Sequence, residues 1–147
     1  MNKTFHILIP VTVVLILNYI IFTKKWSYNK NIQNKNSLIP DGKIVAFVWI
    51  FLFMLLGNAH FILYKKNKMS FAYRFLLFVI LYCISYPIVT KLDQKKAKIM
   101  NTVSLILSSI LMTVVFMESR EAFNYIVPLF IWTSFINYSD AIVCSNL

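Results

Sequence analysis

Between Pro40 and Tyr64 the chain reads PDGKIVAFVWIFLFMLLGNAHFILY, and from Ile44 onward that text holds no charged side chain. At about 1.5 Å per residue the run reaches across the roughly 30 Å of a bilayer's hydrocarbon core. In hydrocarbon every backbone N–H and C=O must find its partner inside the segment, so the run predicts a transmembrane helix. Wound at about 100° per residue, Ala46, Trp49, Phe53, Gly57, His60 and Tyr64 fall in one narrow sector. A face of small residues and rings suits close helix contact beside a ring-lined cleft.

Charge-free text recurs at Thr4–Thr23, Phe75–Thr90, Ile99–Met117 and Ala122–Ser139. The Phe75 run is short, and it reaches spanning length if Arg74 snorkels its guanidinium to the headgroups. The first run follows a lysine near the start, as a secretory signal does, but it is too long for one and no A-x-A-like site follows. A hydrophobic content of 59% and a mean hydropathy of +0.69 lie above the soluble globular range. The reading is all-α: a single integral membrane domain over residues 1–147, a bundle of five transmembrane helices at about 4–23, 43–64, 71–90, 99–117 and 121–145. The first loop, 24–42, is the long one. Pro10 predicts a kink in the first helix, tolerable where neighbours satisfy the freed carbonyl. Asn18 is expected to bond across helices.

The net charge of +10 could suggest nucleic acid. Its lysines, however, sit at span ends: Lys24 and Lys25, Lys65, Lys66 and Lys68, then Lys91, Lys95, Lys96 and Lys98. Juxtamembrane lysines attract anionic lipid, and no basic stripe is interleaved with exposed aromatics, so the expected partner is the lipid bilayer and not nucleic acid. The first and third loops with Lys43 carry the larger share of Lys and Arg, which points the long loop and the C-terminus to the cytoplasm. Cys83 and Cys144 both fall at membrane depth and read as packing residues, not as a disulfide framework or zinc site. His6 and His60 lie on different helices without ligand-spaced Cys or carboxylate, so no metal is expected. His60 reads as a packed, hydrogen-bonded side chain rather than an axial ligand. With Gly42 and Gly57 the only glycines, there is no Gly-rich phosphate loop, and no acyl- or phosphoryl-transfer motif is present.

In the fourth run Ser104 and Ser108 stand at small-xxx-small spacing, with Ser109 and Thr113 offset beside them, and all four read as close-packing positions. In the fifth, Trp132, Ile136, Ser139, Asp140 and Val143 share one side. Asp140, close to the chain's end, is expected to reach interfacial water. The loop text KKWSYNKNIQNKNSLI is polar except for Trp26 and Tyr28, which serve either as headgroup anchors or as part of a functional loop.

Pro40, Gly42, Val48-Trp49, Leu52-Phe53, Leu56-Gly57 and Ala59 together resemble the second-helix signature of the TspO/MBR family, the translocator or tryptophan-rich sensory proteins. Ala122, Pro128, Trp132 and Phe135 resemble that family's fifth helix, and Leu81, Tyr82, Ser85, Tyr86, Pro87 and Ile88 more weakly its third. All three tryptophans fall at family positions. The departures are Asp41 for a second proline, Lys43 for a tryptophan, Tyr82 for an asparagine, Ile136 for alanine or threonine, and Asp140 for an asparagine. Spanning the Trp26 loop to Asn146, the resemblance implies a five-helix bundle with a pocket beneath the first loop. The family's known ligands are porphyrins, cholesterol and benzodiazepine-type compounds.

What the resemblance implies here is an integral membrane protein that binds a planar hydrophobic molecule, with a transport, sequestration or sensory role. Aromatic walls suit such a ligand through stacking and area burial. The implied ligand-binding residues are Trp26, Tyr28, Trp49, Phe53, Tyr82, Ser85, Tyr86, Trp132 and Ile136. Porphyrin enters as a ligand and no cofactor is required. Sterol binding is less secure, since no Lys or Arg follows Arg120 to complete the cholesterol-recognition pattern. The alternatives are a light- and oxygen-dependent porphyrin-degrading enzyme, with Trp49 and Trp132 as redox-active side chains, and a membrane scaffold without a ligand. A homodimer stays open, because the small-residue ridge that packs some relatives is missing. The host membrane is the mitochondrial outer membrane or another cellular membrane.

Overall fold

The computed structural model describes residues 2–25, 38–91 and 93–145, the last three of these as backbone only. Each charge-free run has become one helix: α1 (Lys3–Lys24), α2 (Gly42–Asn67), α3 (Phe71–Thr90), α4 (Gln94–Glu118) and α5 (Arg120–Ser145). Two helices overrun their apolar text, α2 at its end and α4 at its start. The reason at α4 is a cap, because the Asp93 carboxylate accepts from the backbone N–H of Lys95 and Lys96 at 3.0 and 3.1 Å. The Lys96 hydrogen bond, foremost, holds the Asp93 carboxyl below its usual range. The cap is therefore in force at neutral pH and is lost as pH falls through that lowered value. Ser70 caps α3 in the same way, accepting from the Tyr73 N–H at 3.2 Å.

Among the described residues α1 to α4 are long and apolar enough to cross a membrane. α5 is as long as α2, but Asn124, Asn137 and Asp140 make it more polar. Within the bundle α1 packs on α2, α2 on α5, α5 on α4 and α4 on α3, while α3 returns to α1 by a thin contact and touches α2 across the middle. The core lies along α2, where Leu56 and Leu63 are wholly buried with Leu76 of α3, Leu111 of α4 and Ile126 of α5. Ser119 alone joins α4 to α5.

Lipid tails are as apolar as leucine, so membrane helices are held by close approach and by polar bonds rather than by the hydrophobic effect. The α4–α5 pair has such a bond, Ser108 Oγ to Thr133 Oγ1 at 2.9 Å, both residues buried. Ser109 and Thr113 differ from the expectation of close packing. Both are exposed and turn their hydroxyls back to carbonyls of their own helix, Leu105 and Ser109, because the helical offset carries them off the α5-facing side.

In the α1–α2 pair it is backbone that approaches backbone. Pro10 has no N–H to give to the carbonyl four residues earlier, which is that of His6. At that carbonyl α2 places Gly57: a β-carbon there would stand 2.5 Å from the His6 oxygen and 2.9 Å from the Ile7 Cα. The glycine is required by proximity of backbone, not by a turn. Gly57→Ala is expected to destabilise the bundle by about 1–3 kcal/mol, as overpacking does, despite the roughly 1 kcal/mol that alanine gains in a helix interior. Gly42→Ala, with nothing within 4 Å, is the neutral control. Thermal melting of both variants in one detergent checks the contrast.

Candidate functional site

Where α1 and α3 barely touch, a cavity of about 340 Å³ remains at the end of the bundle that carries the start of α2. Small-molecule pockets run from roughly 300 to 1,000 Å³. α1 contributes Val14, Leu17 and Ile21 at helical spacing, α2 contributes Ala46, Trp49 and Phe53, and α3 contributes Cys83, Ile84 and Pro87. The Trp49 and Phe53 rings lie 5.8 Å apart and tilted, so this wall is aromatic rather than merely aliphatic. Ile39, Pro40 and Asp41 form the rim. The rim is tied to the far side of the bundle, since the Leu38 N–H donates to Ser139 Oγ on α5 at 3.1 Å.

Few polar groups face this space, and most of those are engaged. Asp41 accepts from the Gly42 N–H at 2.9 Å, and the Thr90 hydroxyl donates to the Tyr86 carbonyl at 2.8 Å. Asn18 was expected to bond across helices. Its Nδ2 instead has no hydrogen-bond partner among the described residues, because Asn18 stands on the cavity wall where a neighbouring helix would otherwise supply one.

Behind Trp49 and Tyr86 lies a second void of about 10 Å³, reaching Asn101 on α4 and Ile136 and Asn137 on α5. That is room for about one water. Its walls belong to a polar seam. Asn101 Nδ2 donates to Asp140 Oδ2 at 2.9 Å, and Asn137 Nδ2 donates to the Asn101 and Thr133 carbonyls at 2.9 and 2.8 Å. Asp140 is half-buried, and beyond the expected reach to interfacial water it has a protein partner: the start of α4 brings a buried amide to it, and one carboxylate oxygen accepts from that amide.

Of the residues named from the sequence, Trp49, Phe53 and Tyr86 come together on the cavity wall, and Ile136 meets Trp49 and Tyr86 at the smaller void. Tyr82 and Ser85 stand elsewhere: the Tyr82 hydroxyl donates to the Met100 carbonyl at 3.1 Å, and Ser85 to the Tyr82 carbonyl at 2.7 Å. Trp132 is half-buried against the core, 5.7 Å from the Phe135 ring, and its Nε1 has no acceptor among the described residues. Trp26 and Tyr28 lie outside the described residues, as do the side chains of Val143 and Cys144. Sequence reasoning passed over the α1 wall. The signal was available as Val14, Leu17 and Ile21 on one side of α1, but a helix that is apolar all round does not announce which side faces a cavity.

The sequence model of the TspO/MBR family matches residues 6–143, nearly the whole chain. No curated protein and no solved structure matches it.

The polar seam makes a specific forecast for stability. Asp140→Asn keeps an acceptor for Asn101 and leaves the melting temperature near wild type, whereas Asp140→Leu strands a buried amide and costs about 1–3 kcal/mol. Thermal melting of the two variants side by side decides it.

Proposed function

Since the chain belongs to the TspO/MBR family, an integral membrane protein family of helical bundles, we propose that it binds a planar apolar molecule of the tetrapyrrole class in the cavity between α1, α2 and α3. One observation carries this reading: an aromatic wall, Trp49 with Phe53, faces a cavity of about 340 Å³ lined otherwise mainly by aliphatic side chains. A flat ring system stacks on such a wall and buries its faces against Leu17, Ile21 and Ile84. The Ile39–Asp41 rim stands where a ligand would enter from the headgroup level. A cavity of this kind holds and releases its guest, which favours sequestration or transport. Sterol is the second ligand class to try. The lysine asymmetry supports a cytoplasmic rim, on the side of Lys24, Lys43 and Lys91.

Titration of protoporphyrin IX into the purified protein is expected to quench tryptophan emission. Ala46→Phe, which fills the cavity, should weaken binding by about tenfold or more, equivalent to about 1.4 kcal/mol. Trp49→Phe should weaken it less, and Trp132→Phe least, because Trp132 stands off the cavity wall. Unchanged affinity in Ala46→Phe would place the ligand elsewhere. Light-dependent bleaching of the bound porphyrin that disappears in Trp49→Phe would instead favour the enzymatic reading.

A further inference from the structure

The histidines stand apart from the cavity. His6 lies in the first turn of α1, which reaches the cavity only from Val14 onward, while α2 runs the other way and brings His60 back to the start of α1. The two Nδ1 atoms lie 2.9 Å apart, the separation of an N–H···N hydrogen bond, and the residues are 3% and 8% exposed. Rings surround them: Phe61 and Tyr64 lie 5.6 and 4.9 Å from the His6 ring, and Tyr73 of α3 stacks on His60 at 4.4 Å and 13°. Among the described residues neither Nε2 has a partner, and no set of three His, Cys, Asp or Glu side chains forms that could hold a metal ion. Among the described residues the titratable side chains facing the pair are Tyr64 from α2 and Tyr73 from α3, Lys3 stands exposed one turn earlier on α1, and the positive charge of the chain's amino terminus also acts on His6.

We propose that His6 and His60 form a proton site that latches the start of α1 to α2, closed when one proton lies between the two Nδ1 atoms and opened when each Nδ1 carries its own. Counting ring protons gives the sign. Two neutral imidazoles hold two protons, one of them in the bond. A third settles on the bare Nε2 and leaves N–H···N intact. A fourth requires hydrogen on both Nδ1 atoms at 2.9 Å, which abolishes the bond and sets two cations face to face among rings. Undocked, both rings take their full complement as pH falls below about 6.5. The undocked state then binds more protons than the docked one, so docking is firm above that range and weakens as pH falls through it.

The latch goes beyond ligand binding and is read without a ligand. It nonetheless bears on the cavity, because the helix it holds supplies the wall of Val14, Leu17 and Ile21. Full-length protein in a non-ionic detergent, melted across about pH 8 to 5, is expected to lose several degrees more than His6→Gln or His60→Gln over the same interval. Nitrogen-15 histidine NMR of the wild type near neutral pH should find one ring with hydrogen on Nδ1, the other with a bare Nδ1, and coupling across the bond. Parallel melting of wild type and variants overturns the proposal, and so do two ordinary Nε2–H rings without coupling. Where the variants fail to fold, the wild-type spectrum decides alone.

Discussion

The bundle depends on a place where two backbones come nearly into contact. Pro10 leaves the His6 carbonyl without its helical donor, and Gly57 is the one residue type that lets α2 lie against that oxygen. In water such a crossing would be one contact among many. In lipid, where burying a leucine against a helix gains little over burying it in acyl chains, close approach and hydrogen bonds decide which helices pair. The His6–His60 bond sits beside the same crossing, so one residue supplies both a freed carbonyl and an imidazole to the α1–α2 interface.

Anchoring α1 at that end has a consequence at the other. The contact of α1 with α3 is thin, and the space between their far halves is the cavity. The opposite half of the molecule is built differently. α4 and α5 are pinned by Ser108–Thr133, Asn101–Asp140 and the bond from Asn137 to the Asn101 carbonyl, and the core leucines fill what remains. Polar bonding and void are thus segregated: the seam lies between α3, α4 and α5, the cavity between α1, α2 and α3, and Trp49 and Tyr86 stand on the boundary of both. A ligand entering the cavity would press against the half held by fewer bonds.

Much of this was legible in the sequence, and for one reason. A charge-free run of spanning length has few alternatives to a helix, so five runs gave five helices with only their ends misjudged, where Asp93 capped α4 earlier than hydropathy indicated. The face of α2 was legible too. Ala46, Trp49 and Phe53 meet the cavity, Gly57 meets α1, and His60 meets His6, all from a single sector of the helix. What could not be read was pairing between distant segments. Nothing local in α1 says that His6 will meet a residue beyond the long loop, and nothing in α5 says that Asp140 will find Asn101. The α1 wall went unrecognised because its residues are apolar on every side. Trp132, prominent by motif, packs instead against the core.

The departures from the family pattern take on a different meaning once their partners are known. Asp41, Tyr82 and Asp140 each introduce a polar group, and on sequence alone each would alter the polarity of a pocket. Asp41 caps the first residue of α2, the Tyr82 hydroxyl is given to the Met100 carbonyl, and Asp140 is given to Asn101. A polar group whose hydrogen bond is already made within the bundle has less left to offer a guest, and withdrawing it would leave its partner without one. These replacements are therefore absorbed by the scaffold. The cavity keeps a mainly aliphatic and aromatic lining, with an Asn18 amide that has no partner among the described residues, so selection among flat apolar molecules falls to shape and ring stacking, with the few polar groups left on its wall in second place.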